Sequence, residues 1–301
     1  MAKSHRGYPL DGMLLLDKPE GLSSNQALQR AKGLLNARKA GHTGSLDPVA
    51  TGLLPICFGE TTKISSLFLG ADKTYFVEIR LGAATDTGDR TGSIVSRFPV
   101  ALETSRLDEV LDRYRGKFLQ TPPMYSALKK DGQPLYKLAR KGITVEREPR
   151  PVEVYSLEKE SLEGDLLALT VRCSRGFYIR TLAEDIGRDL GCGGHVESLR
   201  RTAVGDFTIR DAVSLDQLES IVTHQDREAL LLPTDRGLAH LPEIRLPENL
   251  ARYLRLGRSV RIAAGMHPGM VRLYMDTGVF LGLGEVTPDQ RVQPRRMFGL
   301  G

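Results

Sequence analysis

One carboxylate in this chain stands where it could do chemistry. Asp47 lies in Gly41-His42-Thr43-Gly44-Ser45-Leu46-Asp47-Pro48, a loop of small residues with one histidine. A residue before proline is driven away from helical angles. Asp47 is therefore expected on an extended loop, able to present its side chain to a cleft. An Asp-Pro turn without chemistry is the plainer reading of the same dipeptide. Without a metal or cofactor motif, the main chemistry left to a lone carboxylate is nucleophilic or base catalysis. In a closed, dry site it needs a cation to stay ionised, and arginine lowers a carboxyl pKa by Coulomb attraction. Ser174-Arg175-Gly176-Phe177-Tyr178-Ile179-Arg180-Thr181 offers two arginines and a tyrosine where a helix is predicted to start. Helix-end decoration is the alternative reading of that segment.

Other templates fail. No Gly-Lys-Ser/Thr follows the loop at the spacing of a phosphate-binding Walker sequence. Gly191-Cys192-Gly193-Gly194 follows a predicted helix rather than a strand, which excludes the dinucleotide fingerprint. No nucleophile-elbow serine is present. Cys57, Cys173 and Cys192 are an odd, sparse set, which argues for buried thiols in a reducing cytoplasm and against a disulfide scaffold. Cys192 with His195 is half a zinc site without a second close pair, so no metal is expected.

The elements that must position these residues come from 301 residues, 41% hydrophobic and 26% charged. That length predicts one domain of ~200–250 residues plus a small one. No apolar run nears the ~18 residues of a membrane span, and residues 1–6 are polar, so neither export nor membrane insertion is expected. The net charge is +5, unevenly spread: residues 113–151 hold ten Lys/Arg against three acids, residues 250–301 eight Arg against three, and residues 152–170 five acids against one lysine. Basic segments between acidic ones suggest a polyanion on one face, or a solvated surface with chance clustering.

Helices are predicted over 24–35, capped by Ser23 or Ser24, over 107–114, near 134–141, and up to Leu190 with Ile179, Leu182, Ala183, Ile186 and Leu190 on one stripe. Tyr75, Val77, Ile79 and Leu81 alternate in a half-buried strand over 74–82, and another strand covers 166–173. Prolines at 233, 242 and 247 suggest a linker over 231–247. Beyond it, strand-like runs at 259–263, 270–275, 279–284 and 291–298 suggest a small barrel.

The loop through Pro48-Val49-Ala50-Thr51-Gly52-Leu53-Leu54-Pro55 closely resembles the signature of the TruB family, bacterial tRNA pseudouridine synthases acting on the T-loop uridine. Leu14-Leu15-Leu16-Asp17-Lys18-Pro19 is similar to the family's N-terminal motif. Lys73-Thr74-Tyr75 and Arg80 to Asp89 are similar to its tyrosine strand and following loop. Pro122-Pro123-Met124-Tyr125-Ser126-Ala127-Leu128-Lys129 resembles its RNA-contacting insertion. The 175–182 and 193–201 segments resemble later motifs, and residues 291–298 the end of its PUA-like domain. The likeness runs through nearly the whole chain in order. Ala40, Ser45 and Phe177 are small departures.

The resemblance implies an α+β fold. A mixed, largely antiparallel central sheet with flanking helices would form a catalytic domain over 1–240, with a basic RNA-contacting insertion at about 120–152. A small C-terminal β-barrel PUA-like domain would cover 247–301. It implies isomerisation of uridine to pseudouridine at tRNA position 55 without cofactor or metal. Carried over position by position, it makes Asp47 the catalytic aspartate, Tyr75 the base-stacking tyrosine and Arg180 the arginine paired with the aspartate. Tyr178 falls on an active-site tyrosine, His42 on the histidine that fills space left by flipped nucleotides, Leu199 on an apolar wall and Lys18 on a basic support. Asp89 falls in a polar network contacting RNA. The expected partner is tRNA, through its T-arm and elbow, with no membrane and no obligate protein partner. A nonenzymatic tRNA-binding or folding chaperone is the alternative, as is the guide-RNA-dependent branch of the superfamily.

Overall fold

A computed structural model describes residues 7–101, 103–263 and 265–299, with Thr104 in backbone only; the polar stretch 1–6 and the chain end at 300–301 lie outside them. The predicted alternating strand is Lys73–Leu81, with every odd residue buried and every even one half-buried. It lies inside a ten-stranded sheet whose main path runs Val213–Ser214, Gly12–Lys18, Thr51–Phe58, Gly194–Val204, Lys73–Leu81, Leu166–Cys173, Arg150–Glu163 and Gly116–Gln120. Two neighbouring pairs are parallel, Gly12–Lys18 with Val213–Ser214 and Gly194–Val204 with Thr51–Phe58. The other pairs are antiparallel, as the expected mixed, largely antiparallel sheet requires.

The inner face of Lys73–Leu81 packs under helices Thr104–Asp112 and Ile179–Leu190: Tyr75, Val77 and Ile79 share a core with Leu107, Leu111, Leu182 and Ile186. Gly12–Lys18 and Thr51–Phe58 are buried on both faces. Leu14, Leu16, Leu54 and Ile56 pack against Ala27, Leu28 and Ala31 of helix Ser24–Leu34, while Met13, Leu15, Leu53 and Cys57 pack the other way, against Phe68, Phe207 and Leu238. A strand buried on both faces shows no period-two signal, which is why alternation did not reveal these two. Ser23 caps helix Ser24–Leu34 in a capping box with Gln26, worth ~1 kcal/mol.

The C-terminal strands form a five-stranded sheet in the order Glu243–Leu246, Gly269–Met275, Phe280–Val286, Arg291–Met297 and Val260–Arg261. It wraps helix Glu248–Arg255 as a half-barrel, with Ala251 and Leu254 against Leu273 and Val292. The linker expected over 231–247 is instead structured. Leu232 exchanges backbone hydrogen bonds with Met13, Leu238 is fully buried and Glu243–Leu246 is a strand. Proline punctuation here marks tight packing rather than a tether. Leu283 and Phe298 of the half-barrel join the core of Met13 and Leu53.

Candidate active site

Arg180 stands in the first turn of helix Ile179–Leu190, with Tyr178 as the extended N-cap. Its side chain is 6% exposed, and Nε lies 3.0 Å from Oδ2 of Asp47, whose side chain is 42% exposed. The cation is thus enclosed, while the carboxylate keeps partial access to solvent from within the fold. Nη1 donates to the Thr87 carbonyl at 3.0 Å and Nη2 to the Tyr125 carbonyl at 2.6 Å. One planar fork therefore joins the Asp47 loop, the 85–93 loop, the root of the insertion and the helix, which a lysine ammonium has no geometry to do.

Arg180 lowers the Asp47 pKa, as the sequence leads one to expect, but it does not set the net direction. Withdrawal from water is the larger influence and raises the carboxyl above its ordinary value of 3.8; Arg180 pulls it down, Asp89 adds to the rise and Lys18 opposes it. The arginine thus limits a rise that the enclosure causes.

The loop under Asp47 is held from below. Leu46 N–H donates to Ser24 Oγ at 2.7 Å, and that hydroxyl donates to the Leu46 carbonyl at 3.1 Å. Lys18 is fully buried, its ammonium donating to the carbonyls of Leu22 at 2.6 Å, Pro19 at 2.8 Å and Pro48 at 3.4 Å. Burial brings Lys18 down to about 8 against the pull of Asp47. Lys18 thus ties the Asp47 loop to the turn over residues 19–22.

The other predicted residues gather around this centre to differing degrees. Tyr75 is only 9% exposed and packs with Leu46 and Ala50 of the loop; burial raises its hydroxyl pKa. Tyr178 also has its pKa raised by burial, with Arg180 opposing. Leu199 packs on the edge of the same core. His42 ends the short strand Ala40–His42; burial and then Arg201 lower its pKa, so the ring is neutral near pH 7, and its buried Nδ1 has no partner among the described residues. Asp89, expected to contact RNA, is 5% exposed. Its Oδ1 accepts from Thr91 N–H at 3.0 Å and from the hydroxyls of Thr87 and Thr91 at 2.9 and 2.5 Å. That oxygen is committed inside the loop whose Thr87 carbonyl holds Arg180. Cys192 and His195 lie against separate carbonyls, those of Gly193 and Ala83.

Two residues at the site escaped the sequence reading. Gln120 is 2% exposed and clamps the Tyr178 backbone, accepting from its N–H at 2.8 Å and donating to its carbonyl at 3.1 Å. Arg201, also 2% exposed, lies beneath the Asp47 loop. Nothing local in sequence marks Gln120, since its partner is 58 residues away. The pair Arg200-Arg201 did carry a signal, because adjacent strand residues face opposite sides: Arg200 pairs with Asp17 at 2.7 Å and Arg201 turns inward.

Known proteins resemble this chain along its length. Residues 32–179 match the family model described as TruB family pseudouridylate synthase (N terminal domain). Residues 180–239 match the tRNA pseudouridylate synthase B C-terminal domain, and residues 242–298 the C-terminal model of pseudouridine synthase II TruB. The tRNA pseudouridine synthase B of Stutzerimonas stutzeri is 52% identical over 96% of this chain and 95% of its own length. The protein of the same name from Sodalis glossinidius is 50% identical over 98% and 97%. Among solved structures, a Cbf5-Nop10-Gar1 complex contains a chain superposing with a TM-score of 0.74 at 24% identity, covering 99% of this chain and 91% of that one. At that identity the likeness speaks for the fold.

Proposed function

We propose a working mechanism on the premise that this chain belongs to the TruB family of pseudouridylate synthases. It is a pseudouridine synthase, an isomerase, and its substrate is the T-loop uridine of tRNA. The observation that carries this reading is the half-exposed Asp47 carboxylate held by the enclosed Arg180. The reaction breaks the N1–C1′ bond of the uridine, turns the base over and joins C5 to C1′. Composition is conserved, so the isomerisation needs no redox partner.

A uridine stacked in an RNA loop cannot react; flipping it out costs a few kcal/mol. Phosphate contacts from the basic insertion and the C-terminal unit offset that cost. Tyr75 supplies an aromatic face, and base–aromatic stacking contributes ~1–3 kcal/mol. In this reading Tyr75 is the floor of the pocket, and its near-complete enclosure suits a rigid platform. Asp47 attacks C1′, adds to C6 or removes the C2′ proton; each route needs the carboxylate unprotonated. Tyr178 and Leu199 wall the pocket, and neutral His42 fills the space left by displaced nucleotides. Residues 1–240 form the catalytic unit and 247–301 a PUA-like unit that contacts RNA farther along. No helix among the described residues is long and apolar enough to cross a membrane. The enzyme works in the cytoplasm on tRNA through its T-arm and elbow, without an obligate protein partner.

The test is an unmodified tRNA transcript incubated with purified protein, with pseudouridine mapped by carbodiimide adducts and reverse transcription. One new stop at the T-loop uridine, absent with Asp47→Asn, is the expected result. Tight binding without modification would instead support the folding chaperone.

A further inference from the structure

Arg201 is one of the largest buried side chains in the molecule, and none of the steps above uses it. It belongs to a single row across four neighbouring strands: Lys18 pairs with Gly52, Gly52 with Arg201, and Arg201 with Tyr75. The row closes only because position 52 has no side chain. Gly52 has φ +100°, and a Cβ there would lie 2.3 Å from the Arg201 carbonyl oxygen and 2.8 Å from its nitrogen. Arg201 Nε donates to the Leu53 carbonyl at 2.8 Å, Nη2 to Gly44 at 3.3 Å and Nη1 to Ser45 at 3.4 Å. All three acceptors lie on the segment that carries Asp47, two before it and one after.

Arg200 and Arg180 each pair with a carboxylate, whereas Arg201 donates to three carbonyls and faces the Tyr75 hydroxyl, with no carboxylate paired to it among the described residues. A guanidinium stays charged at any pH a protein tolerates. Enclosing such a charge without a counter-ion is costly, and an apolar side chain of similar volume would fill the space at less cost. Three diverging N–H groups that reach both ends of one loop are what an apolar residue cannot supply.

We infer that Arg201 is a positioning residue for the isomerisation, tying both ends of the Asp47 loop to the Gly194–Val204 strand and so fixing the carboxylate beside Tyr75. This rests on the reading that the chain forms pseudouridine. Lysine in its place reaches one carbonyl instead of three, and a misplacement of about 1 Å at a reacting group costs roughly 100-fold in rate.

The experiment measures single-turnover pseudouridine formation at saturating enzyme, tRNA affinity, melting temperature and the pH profile for wild type, Arg201→Lys and Arg201→Gln. The expected result is a rate lowered about 100-fold in both variants, with affinity held within about threefold. The acid limb of the profile should stay where wild type has it, because Arg201 acts on the loop and Arg180 on the carboxylate. Rates taken at saturating folded enzyme keep partial unfolding from imitating the effect. A rate within about threefold of wild type in either folded variant overturns the inference, as does a loss that appears wholly in affinity. Should a variant not fold, Gly52→Ala, whose Cβ would press on the Arg201 backbone, must show the same rate loss with affinity kept, and wild-type turnover there overturns the inference. A wild-type protein that forms no pseudouridine counts against the proposed function instead.

Discussion

Nε of Arg180 lies 3.0 Å from Oδ2 of Asp47, while the other two nitrogens of the same guanidinium are held by the carbonyls of Thr87 and Tyr125. The pair is therefore aligned from three directions before any RNA arrives. Preorganisation of this kind lowers a barrier without reorganisation at the moment of reaction.

Arg180→Lys keeps the charge and loses the fork. The expected outcome is a single-turnover rate lowered by about 100-fold or more, with tRNA affinity mostly kept. Filter binding beside a modification time course separates the two, and a near-normal rate would remove Arg180 from the mechanism.

The pH profile should carry the signature of enclosure. Asp47 must be ionised, and its pKa is raised above 3.8 by withdrawal from water. Activity should therefore fall on acidification at a pH above that of an ordinary aspartate. Arg180 lowers this pKa, so Arg180→Lys, with its cation displaced, should move the acid limb higher still. A limb near 3.8 that is indifferent to position 180 would contradict the electrostatic account.

Gln120→Met removes the clamp on the Tyr178 backbone while keeping the side-chain volume. A buried backbone group left unpaired costs about 1–3 kcal/mol. Chemical denaturation should show a loss of that size. The modification rate should fall as well, because Tyr178 caps the helix that carries Arg180. Unchanged stability would mean that water replaces the amide.

Binding of tRNA should weaken at least about tenfold between roughly 50 and 200 mM salt, as contacts to several phosphates require. A flat salt dependence in a titration would rule out an electrostatic clamp by the insertion and the C-terminal arginines.

The parts of the molecule legible in sequence are those with local signals. Tyr75, Val77, Ile79 and Leu81 reveal their strand because one face is buried and the other is not. Ser23 marks a helix start, and in the structure Gln26 completes its capping box. Gly12–Lys18 and Thr51–Phe58 leave no alternation because both faces are covered, and Gly52 and Pro55 look like breakers. Arg150–Glu163 begins with Arg-Pro and carries five acidic or lysine side chains, which reads as surface. At the site, Asp47 and Arg180 were found through the family likeness and the need of a carboxylate for a cation. Gln120 acts on a backbone far along the chain, a partnership with no spacing to read; the adjacent Arg200-Arg201 pair marks one arginine as inward-facing but not the carbonyls that it holds. The electrostatic balance at Asp47 was likewise invisible, since desolvation depends on what the fold stacks around the loop.

The core shared by Leu283 and Phe298 with Met13 and Leu53 fixes the span between the cleft and the half-barrel. Lys63 reinforces it by donating to the Met297 carbonyl at 3.0 Å, and Glu60 by accepting from Gly299 N–H at 2.8 Å. The cleft and the half-barrel are thus held like the jaws of a locked calliper. Under the proposed function, in which the half-barrel contacts RNA farther along, an RNA held at both places must present its reacting uridine at one set distance from that second contact, which adds a measure of length to recognition of the base.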